Sequence, residues 1–233
     1  MAGNVLTVPP GDANQPQRII FAPTETFLPV GFDDNDNAQA VIYGEYPNTC
    51  YRVGPVQASI NETRREIRIV NEAYSYPGGW CTDVPVPFTI PVDFGILSQG
   101  SYRVVVQTNS NETRAAGTLN ISKNRSPNPS NPDDYLYAPV QDAIVDTQTT
   151  NAASLTLRGT FKSTCWSIEE IRLIRHPENH VIVVLPIVHA ATKDCRDARV
   201  PFEVKTSLGT LPKGRTLLHV RSLNGGSLNQ VLD

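Results

Sequence analysis

The chain has no run approaching the roughly 18 apolar residues that a membrane-spanning helix needs. Its longest apolar stretch, VIVVLP at 181–186, is strand-sized. With 39% hydrophobic residues, the composition suits packed cores rather than lipid. Charge of one sign is scarce as well. The formal net charge is −3, with 8 basic and 12 acidic groups in residues 1–123 and 11 and 9 in residues 135–233, which excludes a nucleic-acid footprint. The start, MAGNVLTVPPGDANQPQ, has neither a basic n-region nor an apolar h-region, so no export signal is visible. Met1-Ala2-Gly3 is also what trimming of a signal or anchor would leave, and the cysteines have to decide the compartment. Histidine is absent from the first half; His176, His180, His189 and His219 all lie in the second. There is no H-E-x-x-H, Walker loop, G-x-G-x-x-G or G-x-S-x-G elbow.

What is present is a repeat. GEYPNTCYRV at 44–53 lies over GTFKSTCWSI at 159–168: Gly44 on Gly159, Tyr46 on Phe161, and Thr49-Cys50 on Thr164-Cys165. CTDVPVPF from Cys81 lies over CRDARVPF from Cys195, and each phenylalanine is followed by a glycine-led strand at Gly100 or Gly214. Upstream, FAPTETFL at 21 matches YAPVQDAIV at 137. A register this long is a tandem duplication, the observation that any fold assignment has to respect.

Between the copies lies NRSPNPSNPDD, residues 124–134, a stiffened polar spacer of the kind found at domain boundaries. The expected organisation is a poorly ordered lead-in at 1–18, a first domain at 19–123, this linker, and a second domain at 135–233. Each copy carries strand signals. In VPVPFTIPVDF at 84–94, valine, phenylalanine and isoleucine alternate with Pro85, Pro87, Thr89, Pro91 and Asp93. Proline cannot donate to a ladder, so this strand belongs at a sheet edge. IRLIRHPENHVIVVL predicts a hairpin turning at Pro-Glu-Asn, and VQASINETRREIRIV one turning at 61–64. SIEEIRLI at 167–174 offers a helical turn instead, but the β-branched run after it and its partner in the first copy favour strand. About seven short strands per copy of roughly 100 residues give an all-β chain of two tandem β-sandwiches.

On these residues the chain resembles the immunoglobulin-like repeats of bacterial exported proteins, more narrowly an uncharacterised lipoprotein or periplasmic repeat. Gly44, Pro47, Cys50, Cys81, Val86-Pro87-Phe88, Gly100, Tyr102, Val104 and Val106 carry the pattern in copy one. Gly159, Cys165, Cys195, Val200-Pro201-Phe202, Gly214 and Val220 carry it in copy two, where Lys162 replaces Pro47. The resemblance implies a fold and a compartment and no activity; it leaves room for a lipid anchor upstream of residue 1. It departs from antibody domains, whose cysteines sit centrally on two strands.

Four cysteines allow three pairings. Duplication selects Cys50 with Cys81 and Cys165 with Cys195, because each copy must fold alone. A zinc site wants closely spaced ligands, and a catalytic thiol wants a base that the first copy lacks. The cysteines are therefore expected as staples, each worth about 3.5 kcal/mol by loop entropy, in an oxidising compartment. Trp80 and Trp166, beside a cysteine in each copy, are expected to pack on the sulfurs.

The remaining candidates are weaker. His176 and His180 flank the hairpin turn and are expected as solvated turn residues rather than a metal or proton site. In DDNDN, Asp33, Asn35 and Asn37 alternate as calcium ligands do, yet the glycine and glutamate of an EF-hand loop fall on Ala38 and Gly44, so a solvated loop is expected. The sequons at Asn61, Asn111 and Asn120 are taken as turn residues. No cofactor, metal or catalytic residue is assigned. The expected function is a non-enzymatic, exported cell-envelope interaction or structural module. Its linker would hold two sandwiches apart as a semi-rigid rod and present loops to a protein or cell-surface partner. A secreted peptidase inhibitor working through sandwich-end loops is the alternative; a carbohydrate-binding domain lacks the exposed aromatics.

Overall fold

A computed structural model describes residues 15–125, 135–147 and 153–233. The chain is all-β. The first repeat contains β1 (Gln17–Ile20), β2 (Glu25–Phe27), β3 (Phe32–Asp33), β4 (Ala38–Tyr46), β5 (Tyr51–Asn61), β6 (Glu66–Ser75), β7 (Val86–Gly95), β8 (Gly100–Gln107) and β9 (Thr113–Ser122). The second contains β10 (Val140–Asp146), β11 (Ala153–Ser163), β12 (Trp166–His176), β13 (Val181–Ala190), β14 (Asp197–Gly209), β15 (Thr216–Ser222) and β16 (Gly226–Leu232).

Each repeat forms two sheets around its own core. In the first, β2-β4-β7 faces β5-β6-β8-β9, with β1 alongside β6 and β3 outside β9. In the second, β10-β11-β14 faces β12-β13-β15-β16. The duplication extends to individual pairings. Gly44 opposes Phe88 as Gly159 opposes Phe202, and Ile67 opposes Val104 as Ile182 opposes Leu218. The glycine and the Val-Pro-Phe run of the motif are thereby explained together. Phe88 and Phe202 lie across the cross-strand glycines, where an added Cβ would stand 2.5 Å from Phe88 Cζ or 2.2 Å from the Pro139 carbonyl oxygen. A phenylalanine ring covering a cross-strand glycine is a recognised device for fixing register.

Both predicted hairpins form, β5–β6 and β12–β13, the latter turning through Pro177–Asn179 with His180 in the left-handed region at φ 52°. Residues 167–174, read as strand in preference to a helical turn, are strand. The proline-rich strand β7 is a sheet edge, pairing with β4 alone, and its Val86, Phe88, Ile90, Val92 and Phe94 turn inward while its prolines are exposed. One feature separates these sandwiches from the two antiparallel sheets of an immunoglobulin domain: β6 runs parallel to β8, and β13 parallel to β15.

Two expectations are corrected. The lead-in was placed at 1–18, but Gln17 and Arg18 belong to β1, held by pairing to β6 and by the Arg18–Glu72 ion pair, with Ile19 packed on the core. More consequentially, the sandwiches are not held apart. Most of the linker, 126–134, lies outside the described residues, yet a third hydrophobic cluster joins Phe27, Val41 and Tyr43 of the first repeat to Val181, Val183, Leu185, Ile187 and Leu217 of the second. Strand parity gives the reason. In β4, Ala40 and Ile42 face the first core while Val41 and Tyr43 face this seam. In β13, Ile182, Val184 and Val188 face the second core while the alternate residues face the seam. Both strands are buried on both sides, which is why 181–186 reads as unbroken hydrophobic sequence.

Candidate functional site

The best-built exposed features are the two stapled loops. Cys50 is bonded to Cys81 and Cys165 to Cys195, each with a Cα–Cα distance of 5.2 Å, within the ordinary range. The threonine before each first cysteine completes the clasp. Thr49 N donates to Thr82 O at 3.1 Å and Thr49 Oγ1 accepts from Thr82 N at 2.9 Å. Thr164 N donates to Arg196 O at 3.1 Å and Thr164 Oγ1 accepts from Arg196 N at 3.1 Å. A further backbone bond, Tyr76 N to Cys50 O in one copy and Ala191 N to Cys165 O in the other, closes the base of each loop. Thr-Cys is thus the part of the motif that fixes loop to strand.

The loops differ in what they carry. In the first, Pro77-Gly78-Gly79 leads to Trp80, which is fully exposed at 105% of its reference area, with Val84 exposed nearby. Gly79 passes the staple so closely that a Cβ there would lie 3.1 Å from Cys50 Sγ. Packing of Trp80 on the sulfur, expected from sequence, does not occur, because the Gly-Gly turn directs the chain past the sulfur and leaves the indole in solvent. In the second repeat Lys193 and Asp194 occupy the loop, and Trp166 lies on β12 instead. Its ring meets Phe161 edge-on at 6.3 Å between centroids and packs against the second core.

The seam forms a second site, which sequence reasoning missed. Arg221, buried on β15, donates through Nη1 to Asp36 Oδ2 at 3.2 Å and through Nη2 to the Gly31 carbonyl at 2.6 Å. Its guanidinium lies 4.7 Å from the Phe32 ring centroid. His219, also buried, shares a 2.7 Å hydrogen bond between Nδ1 and Asn229 Oδ1. Burial pushes the His219 pKa down to about 4, against the Asn229 bond, and Arg221 pushes it the same way. Burial pushes the Asp36 carboxyl up to about 6 in spite of the opposing pull of Arg221. At the rim, Arg215 reaches Glu25 at 2.6 Å and Glu45 at 3.5 Å, and Ser227 donates to Gln39 at 2.7 Å.

The DDNDN loop was expected to be solvated, and that is corrected here. Asp33 and Asp36 are buried because the loop is sandwiched against β15. Its oxygens are turned inward: Asp36 Oδ2 accepts from Asp33 N, Asp33 Oδ1 from Asn35 N, and Asn37 Nδ2 donates to Asp93. His176 and His180 are not brought into a joint site; His176 Nδ1 pairs with Glu178 at 2.9 Å. Of the sequons, Asn61 ends β5 and its Oδ1 accepts from Arg64 N, Asn111 is in a turn at φ 68°, and Asn120 lies within β9 rather than in a turn. Among the described residues, no group of three or more His, Cys, Asp or Glu is placed to hold a metal.

These sheets, staples and cores define a protein of β-sandwich class. Within it, residues 40–121 match the family model described as the ORF11 beta-sandwich domain. No curated protein and no solved structure matches the chain. Two disulfides are the mark of an oxidising, extracytoplasmic setting, and no helix among the described residues is long and apolar enough to cross a membrane.

Proposed function

We propose that the chain is a non-enzymatic, exported cell-envelope module of the tandem β-sandwich kind, with repeats at 19–123 and 135–233, that presents its stapled loops to a protein or cell-surface partner. One observation carries this: Trp80 stands wholly in solvent on a loop fixed by a disulfide and by the Thr49–Thr82 bonds. A loop on a stapled base loses little backbone entropy on contact, and tryptophan is among the residues that most often anchor interfaces. The resemblance of the repeat motif to those of bacterial exported proteins, together with the two disulfides, supports the envelope setting.

The test immobilises the intact chain and its Trp80→Ala variant and screens both against a panel of purified envelope proteins and surface glycans. Saturable binding by the parent that the variant loses supports the reading. Turnover of any substrate, abolished by a point change, overturns it. The same rigid loop favours a second reading, a peptidase inhibitor with the 76–85 loop as its wedge; stoichiometric inhibition in a protease panel selects that reading instead.

A further inference from the structure

The duplication isolates what one loop adds to the fold. The staples correspond, cysteine to cysteine and threonine clasp to threonine clasp, but the residue before the second cysteine is Trp80 in one repeat and Asp194 in the other. Asp194 lies in a bend, in the left-handed region at φ 58°. In the first repeat no residue from Tyr76 to Pro85 has a positive φ, and Trp80 to Pro85 contain neither turn nor bend. The second repeat keeps its staple with no aromatic at this place, so the fold does not require the Trp80 indole.

The chain at Trp80 is held on both sides and free between. Upstream, Gly79 N donates to Tyr76 O at 3.1 Å, and Gly79 lies against Cys50 Sγ. Downstream, Cys81 is bonded to Cys50, and the backbone N–H and C=O of Thr82 are both engaged by Thr49. Between these points Trp80 and Cys81 are exposed, and their backbone N–H and C=O groups make no hydrogen bond among the described residues.

We propose that this segment enters the cleft of an acyl-enzyme-forming peptidase whose primary pocket takes aromatic side chains, with Trp80 in that pocket and Trp80–Cys81 as the bond presented. The proposal rests on the reading of the Trp80 loop as the element shown to a protein partner, and it names that partner. Such a cleft pairs with main chain and selects by one side chain, the two things this segment leaves unsatisfied. The staple decides the outcome. The peptidase nucleophile adds to the Trp80 carbonyl carbon, the C–N bond breaks, and Cys81 N leaves as an amine carrying the proton. In an ordinary substrate that amine diffuses away. Here Cys81 stays bonded to Cys50, against which Gly79 also lies, so both new ends are kept beside one residue. The amine attacks the acyl carbon again, the nucleophile is expelled and recovers its proton, and the bond is restored. Held at high effective concentration, the amine outcompetes water, and the loop occupies the cleft without being consumed.

The test uses the whole oxidised chain with chymotrypsin, whose pocket takes aromatic side chains, and trypsin, whose pocket takes basic ones. Stoichiometric inhibition of chymotrypsin is expected at about micromolar concentration or below, with trypsin unaffected. Trp80→Ala, at an exposed position that spares the core, is expected to weaken it about a hundredfold or more. Trp80→Lys is expected to transfer the inhibition to trypsin. Thr49→Val, which removes one clasp bond, is expected to raise cleavage at Trp80–Cys81, followed by mass spectrometry, about tenfold. Chymotrypsin left uninhibited, inhibition that Trp80→Ala retains, failure of Trp80→Lys to inhibit trypsin, or cleavage of the parent as fast as of Thr49→Val would each overturn the proposal. Trp80-dependent binding to an envelope protein with chymotrypsin uninhibited overturns this assignment and leaves the loop's broader reading standing.

Discussion

Arg221 of the second sandwich and Asp36 of the first, 185 positions apart in the chain, meet at 3.2 Å in a place closed to solvent, where the side chains retain 9% and 6% of their exposure. Removing one partner strands the other charge in the seam. Asp36→Ala is therefore expected to cost about 3–5 kcal/mol, and Arg221→Met with Asp36→Leu together much less. Urea unfolding of the two variants checks this. A single mutant within about 0.5 kcal/mol of the parent would show the seam to be open in solution.

Acid should act on this seam through two groups with opposite signs. His219 has a folded pKa near 4, below the ordinary 6.5; its contribution is present above 6.5 and is lost as pH falls toward 4. Asp36 has a folded pKa near 6, above the ordinary 3.8; the native state holds its proton more tightly, so its contribution grows as pH falls from 6 toward 4. Over one window the slopes oppose each other, and the parent's urea midpoint is expected to change little from these two sites. His219→Gln should become more stable on acidification across that window, and Asp36→Asn less stable. Parent-like slopes in both variants would refute the assignment.

The staples should be matched and local. Peptide mapping under non-reducing conditions is expected to recover Cys50 with Cys81 and Cys165 with Cys195 and no cross-link between repeats. Serine pairs at either staple should each cost about 3.5 kcal/mol by the loop-entropy estimate.

The two tryptophans should be separable by spectroscopy. Trp80→Ala should leave stability within about 0.5 kcal/mol of the parent and remove the red-shifted, iodide-quenched emission. Trp166→Ala, which removes a half-buried ring packed beside Phe161, should cost about 1–3 kcal/mol, less than truncation of a fully buried aromatic, and remove the shielded component.

Much of each sandwich was legible because its signals are local or repeated. Alternation in 84–94 gave β7 its edge position, Pro177-Glu178-Asn179 gave a turn, and the duplicated cysteines gave the staples. The seam was illegible because its polar members look like ordinary surface residues: Asp36 sits in an acidic run typical of loops, and Arg221 ends a short strand. One signal was there to be read. VIVVLPIV at 181–188 has no polar face, and a strand without one has to be covered twice. The fate of Trp80 was equally hidden, since sequence places it beside Cys81 but only the turn through Gly78 and Gly79 decides which way the indole points.

The hydrophobic seam has a mechanical consequence. With Val41 and Tyr43 locked against Val183 and Leu217, the halves cannot swivel on their connecting peptide, so the chain acts as a gauge of constant span. The Trp80 loop of one half is thereby kept at a set distance and angle from the stapled loop of the other.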